Sequence, residues 1–369
     1  MRALSLQLLS LSNYFLVGRI PFIMPELTLE DIAKLVGVHR STVSRVINGS
    51  ANVSPEVRER VQEAIRQTGY HPNAAARSLA SQRSQMIGLV LPHSVSSFFT
   101  DPYFPQLTQG IAYGCNNNDL TLSLFLVGNK EDEEKISPRI SRRGLLDGLL
   151  VQSGQPDDML IQRLIKSNVP SLILGRPNEP DGVSFIDVDN VNAAKTATRH
   201  LLNLGYQRIA TITGNKGSTV AADRLTGYKN ALADAGRSMD AALIAEGNFT
   251  EISGYNAMRS LIPAKPDAVF AASDIMASGA MRAALEANLR IPEDVAFVGF
   301  DDIPLASLSK IQLTTIRQPI LKFGLKAVEF LIDLIENGTT PARNIIMATE
   351  LVVRDSCGAK KIGESQTAG

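Results

Sequence analysis

Cysteine and histidine are scarce in this chain of 369 residues, and their scarcity removes several kinds of site at once. The two cysteines, Cys115 and Cys357, lie too far apart in sequence to suggest a redox or metal-ligand pair. Neither a disulfide framework nor a zinc site is indicated, and a reducing compartment is implied. The four histidines, His39, His71, His93 and His200, are spaced too widely for a metal site. No Gly-x-Ser-x-Gly elbow, Walker motif or His/carboxylate constellation occurs, so an enzyme lacks its equipment here. Gly214-Asn215-Lys216-Gly217-Ser218 only mimics a phosphate loop and reads as a strand-end turn. No catalytic residue, metal or cofactor is therefore expected. Repeats of about 20 to 50 residues are missing too, which argues against solenoids and propellers.

Long apolar runs are also wanting. Ala3 to Val17 is largely apolar behind Arg2, but Gln7, Ser10, Ser12 and Asn13 interrupt it, and no small-x-small cleavage site precedes Met24. The stretch is too short and too polar to span a membrane. Residues 1–23 are expected to be a disordered leader or a mis-assigned start, with Met24 the true beginning. Net charge is absent overall, at 37 basic and 37 acidic residues, yet it is unevenly spread. Through Arg83 the chain holds ten basic and six acidic residues, and beyond it 27 and 31. Such a split fits a small phosphate-facing module joined to a mildly acidic body.

With 44% of positions apolar and 20% charged, the chain is that of an ordinary globular protein with material for at least two domains. Thr28 to Thr68 reads as three short helices. Thr28 caps the first, with Asp31 as its capping-box partner, and Leu29, Ile32, Ala33 and Val36 supply the packed face. Gly37 ends it in a conformation suited to a tight corner. The second helix runs from about Arg40 to Asn48. Its Val43, Val46 and Ile47 face inward, leaving Arg40, Ser41, Thr42, Ser44 and Arg45 for a major groove. Ser54, Pro55 and Glu56 open the third helix, whose core stripe is Val57, Val61, Ala64 and Ile65. A plain structural bundle has the same spacing.

From Met86 onward strands alternate with helices. The strand-like runs are Met86–Leu91, Leu120–Val127, Gly148–Gln152, Ser171–Leu174, Arg208–Thr213, Ala268–Ala272 and Val295–Phe300. Helical patterns such as Asn192–Leu204, Ala221–Ala235 and Ile275–Ala287 lie between them. Apolar runs without alternation imply parallel strands covered on both faces, and their number suffices for two doubly wound α/β subdomains.

The stretch Leu29 to Leu79, with Asp31-Ile32-Ala33, Gly37-Val38, Thr42-Val43-Ser44-Arg45, Asn48, Val53-Ser54, Gly69-Tyr70-x-Pro72-Asn73 and Ala76-Arg77-Ser78-Leu79, resembles the headpiece of the lactose-repressor (LacI/GalR) family. The body carries further signposts of that family: Asp189-Asn190, Leu204-Gly205-Tyr206, Arg224-x-x-Gly227, Val298-Gly299-Phe300-Asp301-Asp302 and Leu351-Val352-Val353-Arg354-Asp355-Ser356. The resemblance implies a helix-turn-helix headpiece (24–72), a hinge helix and linker (73–85) and a periplasmic-binding-protein-like sensor (86–356), with a tail at 357–369. Chain crossings near Asp187, Ile316 and Arg343 would give an N-subdomain of 86–186 plus 317–342 and a C-subdomain of 187–316 plus 343–356.

The function it implies is that of a cytoplasmic repressor that binds a palindromic double-stranded operator as a homodimer and answers to a small-molecule effector, a sugar. Arg40, Ser41 and Arg45 would read bases, while Thr28, Thr42, Ser44 and Asn48 would position the backbone. His39 stands where many relatives carry a Ser or Thr cap, which leaves the helix start to be supported by phosphate. Asn73, Ala76 and Leu79 belong to a hinge helix too short to form alone, with Leu79 wedging into a base step from the minor groove. Effector contacts would come from Arg224 and Asp301, with Arg176, Ser273, Tyr103 and Phe104 as further candidates. Ser96 to Thr100 reads as a lengthened loop beside this pocket. A purine or nucleoside effector is the alternative to a sugar. An extracytoplasmic sugar-binding protein is the alternative favoured by the apolar leader and opposed by Thr28 to Leu79.

Overall fold

The computed structural model describes residues 27–359 apart from 48, 51, 71–82, 143, 153–162, 165–166 and 168. These residues form two separate units divided at Gln82. In the first, α1 (Leu29–Val36), α2 (Arg40–Ile47) and α3 (Pro55–Thr68) enclose a small core of Ile32, Val36, Val43, Val46, Val61 and Ala64, with Tyr70 closing its edge. Local chemistry sets each boundary. The Thr28 hydroxyl accepts from Asp31 N at 3.3 Å while Asp31 Oδ2 accepts from Thr28 N at 2.9 Å, a reciprocal cap. Gly37 then turns the chain at φ +69°, where a side chain would be strained.

The second unit contains two α/β lobes. In chain order it runs β1 (Met86–Leu91), α4 (Val95–Thr100), α5 (Tyr103–Asn117), β2 (Thr121–Leu126), α6 (Lys130–Ile140), β3 (Gly148–Gln152), β4 (Ser171–Leu174) and β5 (Phe185–Val188). The chain then crosses to α7 (Asn190–Asn203), β6 (Ile209–Thr213), α8 (Thr219–Asp234), β7 (Ile244–Glu246), α9 (Glu251–Leu261), β8 (Ala268–Ala271), α10 (Asp274–Glu286), β9 (Ala296–Asp301), α11 (Pro304–Leu308) and β10 (Thr314–Arg317). It returns through α12 (Ile320–Asn337) and β11 (Asn344–Met347), and ends in β12 (Glu350–Val352).

The N-lobe sheet has the order β11-β5-β4-β3-β1-β2, all parallel, and the C-lobe sheet the order β12-β10-β9-β8-β6-β7, parallel except for β12. These are the two doubly wound sheets that unalternated apolar runs predict, because helices cover both faces of each. One boundary moves. Asn344–Met347 pairs with Phe185–Val188 in the N-lobe, so the last crossing falls at Ala348-Thr349, beyond the expected Arg343. β11 is an edge strand of four residues with alternating exposure, and so lacks the buried run that marks a central strand. Ser96 to Thr100, expected as a loop, belongs to the short helix Val95–Thr100, capped by Ser94, whose hydroxyl accepts from Ser97 N at 3.2 Å.

Candidate nucleic-acid interface and ligand cleft

In the first unit α2 buries Val43 and Val46 and leaves Arg40, Ser41 and Arg45 exposed, with Thr42 and Ser44 half-buried beside them. One polar face therefore presents two guanidinium groups and three hydroxyls. The helix start does not wait for a phosphate. His39 Nδ1 accepts from Ser41 N at 3.3 Å and lies 2.8 Å from Ser41 Oγ, so the imidazole itself acts as the N-cap. A backbone N–H can only donate, which makes Nδ1 the acceptor and places the ring proton on Nε2. Thr28 is exposed and engaged in its capping box. Asn48, Asn73, Ala76 and Leu79 lie outside the described residues.

In the second unit a cleft of about 440 Å³ opens between the lobes, outside the carboxyl ends of their strands. The N-lobe contributes His93 beyond β1, Asp101, Tyr103 and Phe104 around the start of α5, Gln152 at the end of β3 and Asp187 on β5. The C-lobe contributes Asn190, Arg224, Phe249, Ser273 and Asp301, and the crossing after β10 adds Gln318. Each lies at a strand end or the helix start that follows, where backbone groups and side chains converge.

Arg224, 4% exposed, is held on four sides. Its Nε donates to Asn190 Oδ1 at 2.9 Å, its Nη1 donates to Ala272 O and lies 3.6 Å from Asp301 Oδ1, and its guanidinium carbon sits 3.5 Å above the Phe300 ring. Asp301 accepts from Gln318 Nε2 at 2.6 Å. Burial raises the Asp301 carboxyl to about 7, with Arg224 opposing the shift and Asp101 adding to it. Behind it Asp274 is fully buried. It accepts from Thr315 Oγ1 at 2.5 Å and from Ile303 N at 3.0 Å, and burial holds its carboxyl well above the usual range. Asp301 and Asp302 both have positive φ, +114° and +58°, a backbone strained for residues with side chains. Ion pairs from Asp302 to Arg317 at 2.7 Å and to Arg354 at 2.6 Å anchor that turn.

Ser273 faces the cleft as the N-cap of α10. Phe104 packs against His93, ring centroids 4.2 Å apart, and Tyr103 meets Phe104 edge-on at 5.3 Å. Burial depresses His93 to about 4, so this ring is neutral. Arg176 behaves differently from the expectation. Its side chain forms a bidentate pair with Asp223, at 3.1 and 2.6 Å, and does not line the cleft. Sequence reasoning missed Asp101, Asn190, Gln152, Phe249 and Gln318. Asn190 had a signal in the Asp189-Asn190 pair, and Gln152 in its place at a strand end. Phe249 had none, because its position depends on a turn with φ +61° and on Gly214, where an added Cβ would lie 2.1 Å from the ring.

Among the described residues no group of His, Cys, Asp or Glu side chains could hold a metal ion, and no helix is long and apolar enough to cross a membrane.

Comparison with known proteins adds independent findings. A family model described as bacterial regulatory proteins, lacI family, matches residues 28–73, and one for a periplasmic binding protein-like domain matches residues 198–357. The chain is 38% identical over 333 residues to the HTH-type transcriptional regulator CelR of Thermobifida fusca, covering 89% of this chain and 98% of that one. It is 33% identical over 336 residues to the ribose operon repressor of Escherichia coli (strain K12), covering 89% and 99%. Among solved structures, a CelR–cellobiose complex matches with TM-score 0.72 at 36% identity, over 89% of this chain and 99% of that one. A lac repressor dimer bound to operator and the anti-inducer ONPF matches with TM-score 0.77 at 28% identity, over 90% and 99%.

Proposed function

The chain belongs to the lacI family of bacterial regulatory proteins, and from that premise we propose that it is a cytoplasmic repressor that binds a palindromic operator as a homodimer under the control of a sugar. The observation that carries the DNA half is α2, an exposed polar face with Arg40, Ser41 and Arg45 on a helix whose opposite face is buried. Arginine suits the paired acceptors of guanine, and Thr28, Thr42, Ser44 and Asn48 suit phosphate. The segment 73–85, with Asn73, Ala76 and Leu79, is the proposed hinge, ordered on the operator and wedged through Leu79.

The sugar half rests on the cleft, where Arg224, Asp301, Asn190 and Gln318 converge as donors and acceptors beside aromatic rings. Relatives that respond in name to cellobiose and ribose support the same class of ligand. Sugar binding would favour one angle between the lobes over another and so change the geometry of paired hinges. The size of the effect equals the ligand's difference in affinity for the two states. The protein acts by binding; no step of catalysis is assigned to it.

Two apolar surfaces support a dimer. The edge strand β2 leaves Leu124 exposed beside half-buried Leu122 and Leu126, and in the C-lobe exposed Leu285 and Leu305 line an apolar groove, with the 81%-exposed Leu308 at the end of α11. The test is retardation of a palindromic duplex by the full chain, with and without cellobiose. Specific retention that falls steeply with salt and shifts with cellobiose is expected. Equal affinity for random duplexes would end the repressor reading.

A further inference from the structure

The charges that line the cleft are unbalanced. Asp101, Asp187 and Asp301 face it, and among the described residues Arg224 is the sole guanidinium or ammonium group in its wall. Glu251 also reaches the rim, but both of its oxygens are held by Arg282, at 2.9 and 3.2 Å. The charge of Arg224 is already matched, because Asp301 Oδ1 lies 3.6 Å from its Nη1, while Asn190 and Ala272 take hydrogen bonds from Nε and Nη1. Acceptors, in contrast, are in surplus. The Asp101 carboxyl takes a single hydrogen bond among the described residues, from Tyr103 N at 3.0 Å, and the buried side-chain oxygen of Gln152 takes none.

Helix N-termini could reverse this argument, since α8, α9 and α10 all begin at the cleft and a helix N-terminus ordinarily welcomes an anion. Each already gives one of its free N–H groups to its own hydroxyl, Ser218 accepting from Ala221 N, Thr250 from Ser253 N and Ser273 from Met276 N, and at the start of α5 Tyr103 N donates to the Asp101 carboxyl. The start of α10 also holds the Asp301 carboxylate. The remaining demand is for donors without negative charge. A hydroxyl both donates and accepts, whereas a phosphate brings acceptors and charge, and like charges repel more strongly in a water-poor cleft than in bulk water.

We infer that the effector is an uncharged, unphosphorylated sugar whose hydroxyls donate to Asp101, Asp301 and Gln152, and that the cleft rejects sugar phosphates by setting them against uncompensated carboxylates. This rests on the reading of the cleft as a sugar site and narrows it. The experiment is isothermal titration of the full chain with matched pairs: glucose and glucose 6-phosphate, cellobiose and cellobiose 6′-phosphate. In a pair whose neutral member binds, the phosphate is expected to bind at least about tenfold more weakly, because like charges set against each other across an interface cost affinity. Asp101→Asn, verified as folded by circular dichroism, should narrow the gap. A phosphate that binds as well as its parent, or a gap indifferent to Asp101→Asn, overturns the inference while leaving the sugar reading intact. Silence from every sugar, with operator binding preserved, overturns the sugar reading itself.

Discussion

At the scale of single residues, the departures from the commonest pattern tell most about the chemistry. His39 replaces a hydroxyl cap yet performs its task through Nδ1, so the identity of the cap matters less than an acceptor in reach of Ser41 N. His39→Ser is expected to keep headpiece stability, and His39→Ala to lower it by about 1 kcal/mol, the usual worth of an N-cap. Urea unfolding followed by circular dichroism measures both, and equal stability of the Ala variant would show the cap to be idle. Asp301 supports a second prediction with a definite sign. Its carboxyl is raised from the ordinary 3.8 to about 7 by burial, so the folded state holds a proton that the unfolded state has released. The stability this contributes is fully present below 3.8 and is lost as pH rises through about 7. The ionised form is the one that accepts from sugar hydroxyls, so affinity for a sugar in the cleft should rise over the same interval. Arg224, Asp101 and Asp274 face this carboxyl, and the apparent midpoint belongs to the set. Asp301→Asn should raise the melting temperature above neutral pH, weaken sugar binding and flatten its pH dependence. Unaltered pH dependence in that variant would assign the titration to another group.

Among the elements, α8 has two duties. It carries Arg224 into the cleft, and its first turns grip the N-lobe from the other side of the chain crossing: Asp223 pairs with Arg176, and Thr219 Oγ1 donates to Arg176 O at 2.7 Å. This clasp joins the lobes beside the cleft. Asp223→Asn is expected to loosen closure and weaken sugar binding in the cleft by about two- to fivefold, since the Arg176 end is partly exposed and such pairs seldom exceed ~1 kcal/mol. Calorimetric titration of the variant decides it, and wild-type affinity would mean that closure rests on other contacts. How much of this was legible in the sequence follows from the same elements. Long buried strands such as β1 and β9 showed themselves as apolar runs, and the headpiece helices through caps and periodic valines. β5, β7, β10, β11 and β12 are short and hold polar or charged residues such as Asp187, Glu246, Thr314, Asn344 and Glu350, so no unbroken apolar run marks them, and the expected last crossing falls too early. Arg176 was misjudged for a related reason. A position beyond a strand end indicates nearness to the cleft, but not which neighbour a long side chain will choose, and Asp223 stands 47 residues away in sequence.

For the whole molecule, the question is what turns a ligand-binding body into a reader of symmetric DNA. A recognition helix of eight residues touches too few base edges to single out an operator alone, and duplication by a twofold partner supplies the remainder. The affinity of the regulator for its operator is thereby tied to its own association. Leu285 and Leu305, which line the C-lobe groove, and the exposed Leu308 at the end of α11 would then be interface residues, since exposed apolar groups gathered at one groove mark an interaction surface. Leu308→Glu inserts a charge where apolar surfaces would meet, and desolvating it without a partner is costly. The variant is expected to sediment as a monomer at concentrations where the unaltered chain is dimeric, to leave sugar binding in the cleft unchanged, and to lose specific operator binding much more than binding to random duplex. Analytical ultracentrifugation with parallel gel retardation separates the possibilities. A variant that stays dimeric and keeps its operator would move the interface away from this groove, toward the exposed side of β2, where Leu124 awaits the corresponding substitution.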